Sequence, residues 1–394
     1  MKKFWQVGWI FLVLFVFLAG CSENEQTKGT PKKKESNEQT VKKGTPEWTM
    51  QEIKKAVALN DKELFMSYQN KENELFYKEQ QRWIEEASYR KKEGFDFSTE
   101  LYSFHPENDT TGTVSFGVMM SDTKHGGSTN VVNYQMIKVK DKWVLNDLPF
   151  DSITDDAKNL TVYYMKGQEE AAQQTLKDAV DLVAFYSKQF NWKPSKISIK
   201  MYPSVKEISA TVPWISVAAW NEKGESLKMT TEQPNNNMFS SLANGLAHKM
   251  VADMTNDNAA PYILEGFGMY IESSIVRDET GNITFDSKLA EDQAVMATQN
   301  SKTVKTIDKL ASLGTTDQDM SLYRDGFLIS HYFISSKGMP EYMNMLNYLS
   351  KFKYSDQRLE HKMETNQKRT LEAVEKIYGS AEKISEEVKK FYTK

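Results

Sequence analysis

The chain has 394 residues, and its 50 Lys and Arg nearly balance 54 Asp and Glu, for a formal net charge of −4. These charges are interleaved rather than gathered into a basic stripe with aromatics, which argues against a nucleic-acid partner. A single cysteine excludes any disulfide within the chain, so a folded part exposed to an oxidising compartment must depend on its core alone.

Lys2 and Lys3 precede an almost wholly apolar run from Phe4 to Leu18. A charged start followed by an apolar core is the pattern of an export signal. The run is also short against the roughly 20 residues that span a bilayer. Leu18-Ala19-Gly20-Cys21 then resembles the lipobox of bacterial lipoproteins. That resemblance implies a signal peptide over 1–20, cleavage before Cys21, and diacylglycerol and fatty-acyl (palmitate-type) chains on its sulfur and amine. The mature chain is then expected on the extracytoplasmic face of the cell membrane, held firmly, because two or three acyl chains exceed the marginal hold of one.

Residues 21–46 contain one large apolar side chain beyond the cysteine, Val41. They repeat themselves as Asn24-Glu25-Gln26-Thr27 and Asn37-Glu38-Gln39-Thr40, and as Lys28-Gly29-Thr30-Pro31 and Lys43-Gly44-Thr45-Pro46. Such a segment buries too little to offset its ordering entropy, and the expectation is a flexible tether.

A first folded domain is expected over 47–157. Ile53, Val57, Leu64 and Phe65 are spaced for a helix over Thr49–Tyr68, and a second helix is predicted over Leu75–Tyr89. Strands are predicted over Phe95–Phe104, Thr113–Met120 and Asn130–Leu148, giving a small α+β unit. Its closing Trp143-Val144-Leu145-Asn146-Asp147, after a polar turn, resembles the last hairpin of NTF2-like domains. The acidic stretch Asp151 to Lys158 reads as an exposed connection.

The second domain is expected over 158–394. A strand at Leu160–Met165 leads into a long amphipathic helix carrying Ala172, Leu176, Ala179, Val183 and Phe185 on one side. Lys196 to Tyr202 alternates as a strand, 215–230 suggests further strands about a Gly224 turn, and from Met238 the pattern is mainly helical.

Two segments carry chemistry here. Asn244-Gly245-Leu246-Ala247-His248 lies on one predicted helix, and Glu265-Gly266-Phe267-Gly268-Met269-Tyr270 on the next. Together they resemble the peptidase MA-like gluzincins. In that family one helix carries His-Glu-x-x-His and the next supplies a third zinc ligand from a Glu-Gly-x-Ala-x-Tyr context. The resemblance covers most of 160–394. It implies a mostly helical peptidase-like domain with a small sheet, in which His248 matches the second histidine and Glu265 the third ligand. Asn244 stands in place of the first histidine and Gly245 in place of the general base.

A catalytic zinc of this kind takes three protein ligands and one open position, and no group at 245 can accept the proton of a metal-bound water. The sequence therefore assigns no catalytic residue and no metal ligand set. Zinc is not an expected cofactor, and Asn244, Gly245, His248 and Glu265 are vestigial positions. His248, Glu265, Tyr270 and His331 are the candidates for lining a binding cleft. The expected function is a non-catalytic binder of a peptide or protein segment. Its rivals are an active zinc peptidase with an atypical site on His248 and Glu265, and a purely structural scaffold. Asn244 and His248 as ordinary polar residues of a wetted helix face is the plainer alternative. His105, His125 and His361 offer no further ligand set.

Overall fold

Three helices open the folded part. Thr45 caps the first, α1 (Pro46–Leu59), accepting from the Trp48 amide, and Pro46 starts it where a missing N–H costs nothing. The predicted single helix over 49–68 is broken in two. Asn60 turns left-handed (φ 55°) to end α1, and the Asp61 carboxylate accepts from Leu64 N at 2.9 Å to start α2 (Lys62–Met66). An Asn-Asp pair that can hydrogen-bond locally outcompetes the continuing apolar spacing. The third helix is α3 (Glu74–Lys92).

An antiparallel meander follows, β1 (Asp96–Pro106), β2 (Thr111–Asp122), β3 (Gly126–Val139) and β4 (Lys142–Leu145), in that spatial order. The β1–β2 register slips between Leu101 and Ser103, leaving Tyr102 as an extra residue, which bends the strand. The face towards the helices buries Phe97, Val114, Phe116, Val118, Tyr134 and Met136 against Ile53, Phe65, Phe76 and Trp83.

The second sheet contains β5 (Asp151–Asp155), β6 (Leu160–Tyr164), β7 (Ile197–Tyr202), β8 (Ala219–Trp220) and β9 (Leu227–Thr230), ordered β5-β6-β7-β9-β8. Between its strands come α4 (Glu169–Phe190) and α5 (Val205–Thr211). The stretch expected as an exposed connection is thus an edge strand. Asp151 to Asp155 pairs antiparallel with β6, and the expected boundary at 157/158 falls in the turn of that hairpin. A largely helical body completes the fold: α6 (Asn235–Met254), α7 (Pro261–Ser274), the ribbon β10 (Ile275–Arg277) and β11 (Ile283–Phe285), then α8 (Ser287–Gln299), α9 (Ile307–Ala311), α10 (Ser321–Lys337), α11 (Met339–Leu349), α12 (Leu359–Tyr378) and α13 (Ala381–Thr393). The class is α+β.

This computed structural model describes residues 41–394 apart from 124–125, 215–218, 221–222, 233–234, 279, 300, 302, 314–320, 355–358 and 394. Cys21, the expected signal peptide and most of the expected tether lie outside the described residues, as does His125. Residues 41–394 form one compact unit.

Two cores share the second sheet. Strand β7 reads as half-exposed in sequence, yet all six of its residues are buried. Ile197, Ile199 and Met201 enter the helical core with α4, while Tyr202 joins the core of the first lobe. Lys200 of β7 and Lys228 of β9 are register partners on parallel strands and are almost completely buried.

Each of these lysines finds a carboxylate. Lys200 Nζ lies 2.6 Å from Glu79 of α3 and also binds Asp147, whereas Lys228 lies 3.1 Å from both Glu79 and Glu225. The Ser226 amide adds a hydrogen bond to Glu79 at 3.1 Å. Burial by itself would raise the Glu79 carboxyl, but the two ammonium groups hold it well below the usual carboxylate range. Beside this joint the Trp83 indole donates to Ala210 O at 2.8 Å, and Arg90 stacks on Trp214 at 3.7 Å.

A buried ion pair gives little net stability, but removing one partner strands the other charge at a cost of about 3–5 kcal/mol. Lys200→Met should therefore lower the unfolding free energy by about that amount in urea denaturation. A change under about 0.5 kcal/mol, the range of ordinary surface substitutions, would mean that the joint is not dry.

Candidate functional site

Helices α6 and α7 lie antiparallel side by side, and the polar residues of α6 meet one face of α7. His248 Nε2 stands 3.4 Å from Glu265 Oε2, and two turns further along α7 Asn244 Nδ2 donates to Glu272 Oε2 at 2.9 Å. Glu265, Gly268 and Glu272 follow the i, i+3, i+7 spacing of a single helix face. Gly268 makes the crossing possible. A Cβ there would lie 2.4 Å from His248 Nε2 and 3.3 Å from Asn244 Nδ2, so both α6 side chains rest on bare backbone.

The structure brings together three of the four vestigial positions. His248 and Glu265 face each other as the resemblance implies. Asn244 shares their seam and reaches past them to Glu272, a partner that sequence comparison did not supply although its spacing from Glu265 was in plain view. The fourth, Gly245, faces the sheet. A Cβ there would meet Leu227 Cδ1 of β9 at 2.6 Å, and Leu227 is itself buried. The helix-weakening glycine thus has a packing cause: the Leu227 side chain occupies the space that a side chain at 245 would need.

The two remaining cleft candidates belong elsewhere. Tyr270 is buried on the opposite face of α7, stacked on Phe267, and His331 of α10 lies among Tyr270, Phe327, Phe391 and Tyr392. Neither lines the seam. The apolar spacing of α7, with Ile263, Phe267 and Tyr270 opposite Glu265, carried that information. In its place α10 contributes Tyr323, which lies near enough to Glu265 that burial and the carboxylate together push its phenol up to about 12. Of the other histidines, His105 is exposed on β1.

Electrostatically both carboxyls of the seam are shifted upward. Burial raises Glu265, opposed by the nearby His248. Glu272 is reached by solvent yet surrounded by protein, which pushes it up to about 7 against the hydrogen bond from Asn244. The His248 Nε2 atom is buried and has no hydrogen-bond partner.

These residues do not fit a resident catalytic zinc. The 3.4 Å between His248 Nε2 and Glu265 Oε2 is close to the separation of two tetrahedral ligands with metal bonds of about 2 Å. The third ligand is missing, because Asn244 is a neutral amide committed to Glu272. Among the described residues no group of three or more His, Cys, Asp or Glu side chains could hold a metal ion. A base is missing too, since Leu227 fills its place. The geometry can still offer the open end of this row, Asn244 and the exposed Glu272, to a polar segment lying across it.

The chain matches no known family model, and no curated protein matches it.

His331 gives the helical body a measurable pH response. Tyr392 OH donates to Leu328 O at 2.8 Å, so at 2.7 Å it accepts the Nδ1–H of a neutral imidazole. Burial lowers the His331 pKa from 6.5 to about 4, with Glu291 opposing. The unfolded chain then binds the proton first, and the stabilisation present above pH 6.5 is lost as pH falls towards 4. Glu272, raised in the folded state, acts in the opposite direction over part of the same window, so the comparison must be between variants. The stability advantage of the parent over His331→Gln should shrink by on the order of 3 kcal/mol between pH 7 and pH 4 in parallel urea titrations. A difference constant with pH would show that His331 takes up its proton as readily in the fold as in the unfolded chain.

Proposed function

We propose that the chain is a lipid-anchored protein of the extracytoplasmic membrane face whose helical lobe has the plan of a gluzincin peptidase without its catalysis. In this proposal it holds a peptide or protein segment along the α6–α7 seam. The observation that carries the proposal is the commitment of Asn244 to Glu272 at 2.9 Å, which leaves His248 and Glu265 as a two-member donor set. Leu227 against Gly245 supports it from the other side of α6, because a carboxylate built there would have to displace the buried Leu227 side chain.

Binding without hydrolysis follows from what remains. Asn244, His248 and Glu265 are part-buried and Glu272 is exposed, so the seam has both depth and access. Its groups can pair with backbone amides and carbonyls, and an extended peptide satisfies such a row through its main chain, whatever its side chains. The first lobe, NTF2-like in this proposal, serves as a base. Its contact with the second sheet fixes the helical lobe on its support at the end of the tether.

Fluorescence anisotropy with labelled unstructured peptides tests the seam. Binding should weaken at least tenfold in Glu265→Lys/Glu272→Lys, and mass spectrometry should find the peptides intact. Cleavage that His248→Ala abolishes would establish the active peptidase instead, and absence of binding across the peptides would leave the scaffold. The anchor is tested separately by fatty-acid labelling of the full chain, where Cys21→Ala should remove the label.

A further inference from the structure

One end of the helical lobe is built from three loops tied together by asparagines. Asn256, in the α6–α7 loop, donates to Phe352 O at 3.0 Å and accepts from Lys223 of the β8–β9 turn. Asn258 also donates to Phe352 O, at 3.1 Å, and the Arg369 guanidinium donates to Asn258. The result is a fixed tip formed by the start of the α11–α12 loop, Ser350 to Tyr354, with its neighbours.

Aromatic rings and cations are concentrated there. Tyr348 has Lys351 and Lys376 each at 4.6 Å from its ring centre, Tyr354 has Lys223 at 4.9 Å and Lys362 at 5.7 Å, and Phe352 has Arg369 at 5.2 Å. Lys351, Lys353 and Lys376 are exposed and form no ion pair among the described residues, and Tyr354 is 40 % exposed. Of the nearby carboxylates, Asp257 takes Lys362 and Glu364 takes Lys368, while Glu372 accepts the Tyr348 hydroxyl and, like the exposed Glu375, keeps its charge. A chain of net charge −4 thus presents, in this region, exposed lysines beside aromatic rings.

We propose that this tip docks on the anionic headgroups of the bilayer that holds the Cys21 anchor. The assignment rests on the lipid-anchor reading above. Charge complementarity favours it, since juxtamembrane lysines are attracted to an anionic leaflet. Tyrosines suit the same boundary, because an amphipathic ring is at home at headgroup depth. The tether expected from the sequence, some 25 residues from Cys21, would if flexible span roughly 25–30 Å and keep the folded part within reach of the surface. Docking by the tip would give it one orientation there.

The compact unit, residues 41–394, is to be sedimented with vesicles of phosphatidylcholine, with or without 30 % phosphatidylglycerol, at low and at physiological salt. Binding is expected only to the anionic vesicles, weaker at higher salt. The triple reversal Lys351→Glu/Lys353→Glu/Lys376→Glu should weaken it on the order of a hundredfold, while Lys389→Glu/Lys390→Glu, on the exposed side of α13, should leave it unchanged. Equal binding to neutral vesicles, no binding to either, or an unaffected triple variant would overturn the proposal. Inorganic polyphosphate bound as tightly as the anionic vesicles would assign the tip to a soluble polyanion and overturn it too. Because this unit lacks Cys21, failure here leaves the anchor untouched, and fatty-acid labelling of the full chain decides the anchor alone.

Discussion

Helix α7 has almost no freedom of position, and the candidate site depends on that constraint. A Cβ on Gly266 would lie 2.2 Å from Gly326 O of α10, and one on Gly326 would lie 2.6 Å from Tyr262 O. The two backbones therefore touch, as small residues allow. On its other face α7 offers Gly268 as a seat for His248. Pressed on both sides, α7 delivers Glu265 to His248 and Glu272 to Asn244 without adjustable parts. The Glu-Gly pairing of the sequence is thus two instructions in consecutive residues, a carboxylate for α6 and a bare backbone for α10.

A second constraint acts through the sheet. β7 and β9 have helices on one side and the first lobe on the other, and the lysines that face the first lobe are matched to Glu79, Asp147 and Glu225. Burial of this kind adds little to stability when complete and costs much when broken, so it penalises any seating of the lobes that would leave these charges unpaired. That seating also bears on the site, since β9 carries Lys228 into the joint and, one residue earlier, Leu227 against Gly245. One short strand closes the interface between lobes and, in the proposed peptidase-like plan, fills the place of the base.

Much of this was legible in the sequence, because helix spacing, turn residues and alternating strands depend on neighbours along the chain. The strands of the first sheet and α4 followed from such local patterns, whereas the opposition of His248 and Glu265 came through the resemblance. The failures came from distant partners or from competing local bonds. Lys200 looked like the solvent side of an alternating strand because nothing nearby announces Glu79, 121 residues away. Asp151 to Asp155 looked exposed, as edge strands do, and its pairing with β6 was hidden by its charge. Asn60 and Asp61 were strong enough to divide a helix that apolar spacing had joined. Tyr270 and His331 were placed in the cleft through the resemblance, although the periodicity of α7 itself put Tyr270 on the buried face.

The central claim is that a peptidase-like seam keeps two zinc-type donors and has lost the third ligand and the base. Metal analysis of the purified protein, followed by zinc titration calorimetry beside Asn244→His, tests it most directly. The account predicts well under one zinc per chain in the parent. It also predicts at least tenfold tighter zinc binding in the variant, whose imidazole would join His248 and Glu265 over Gly268. Stoichiometric zinc in the parent, lost in His248→Ala, would contradict it.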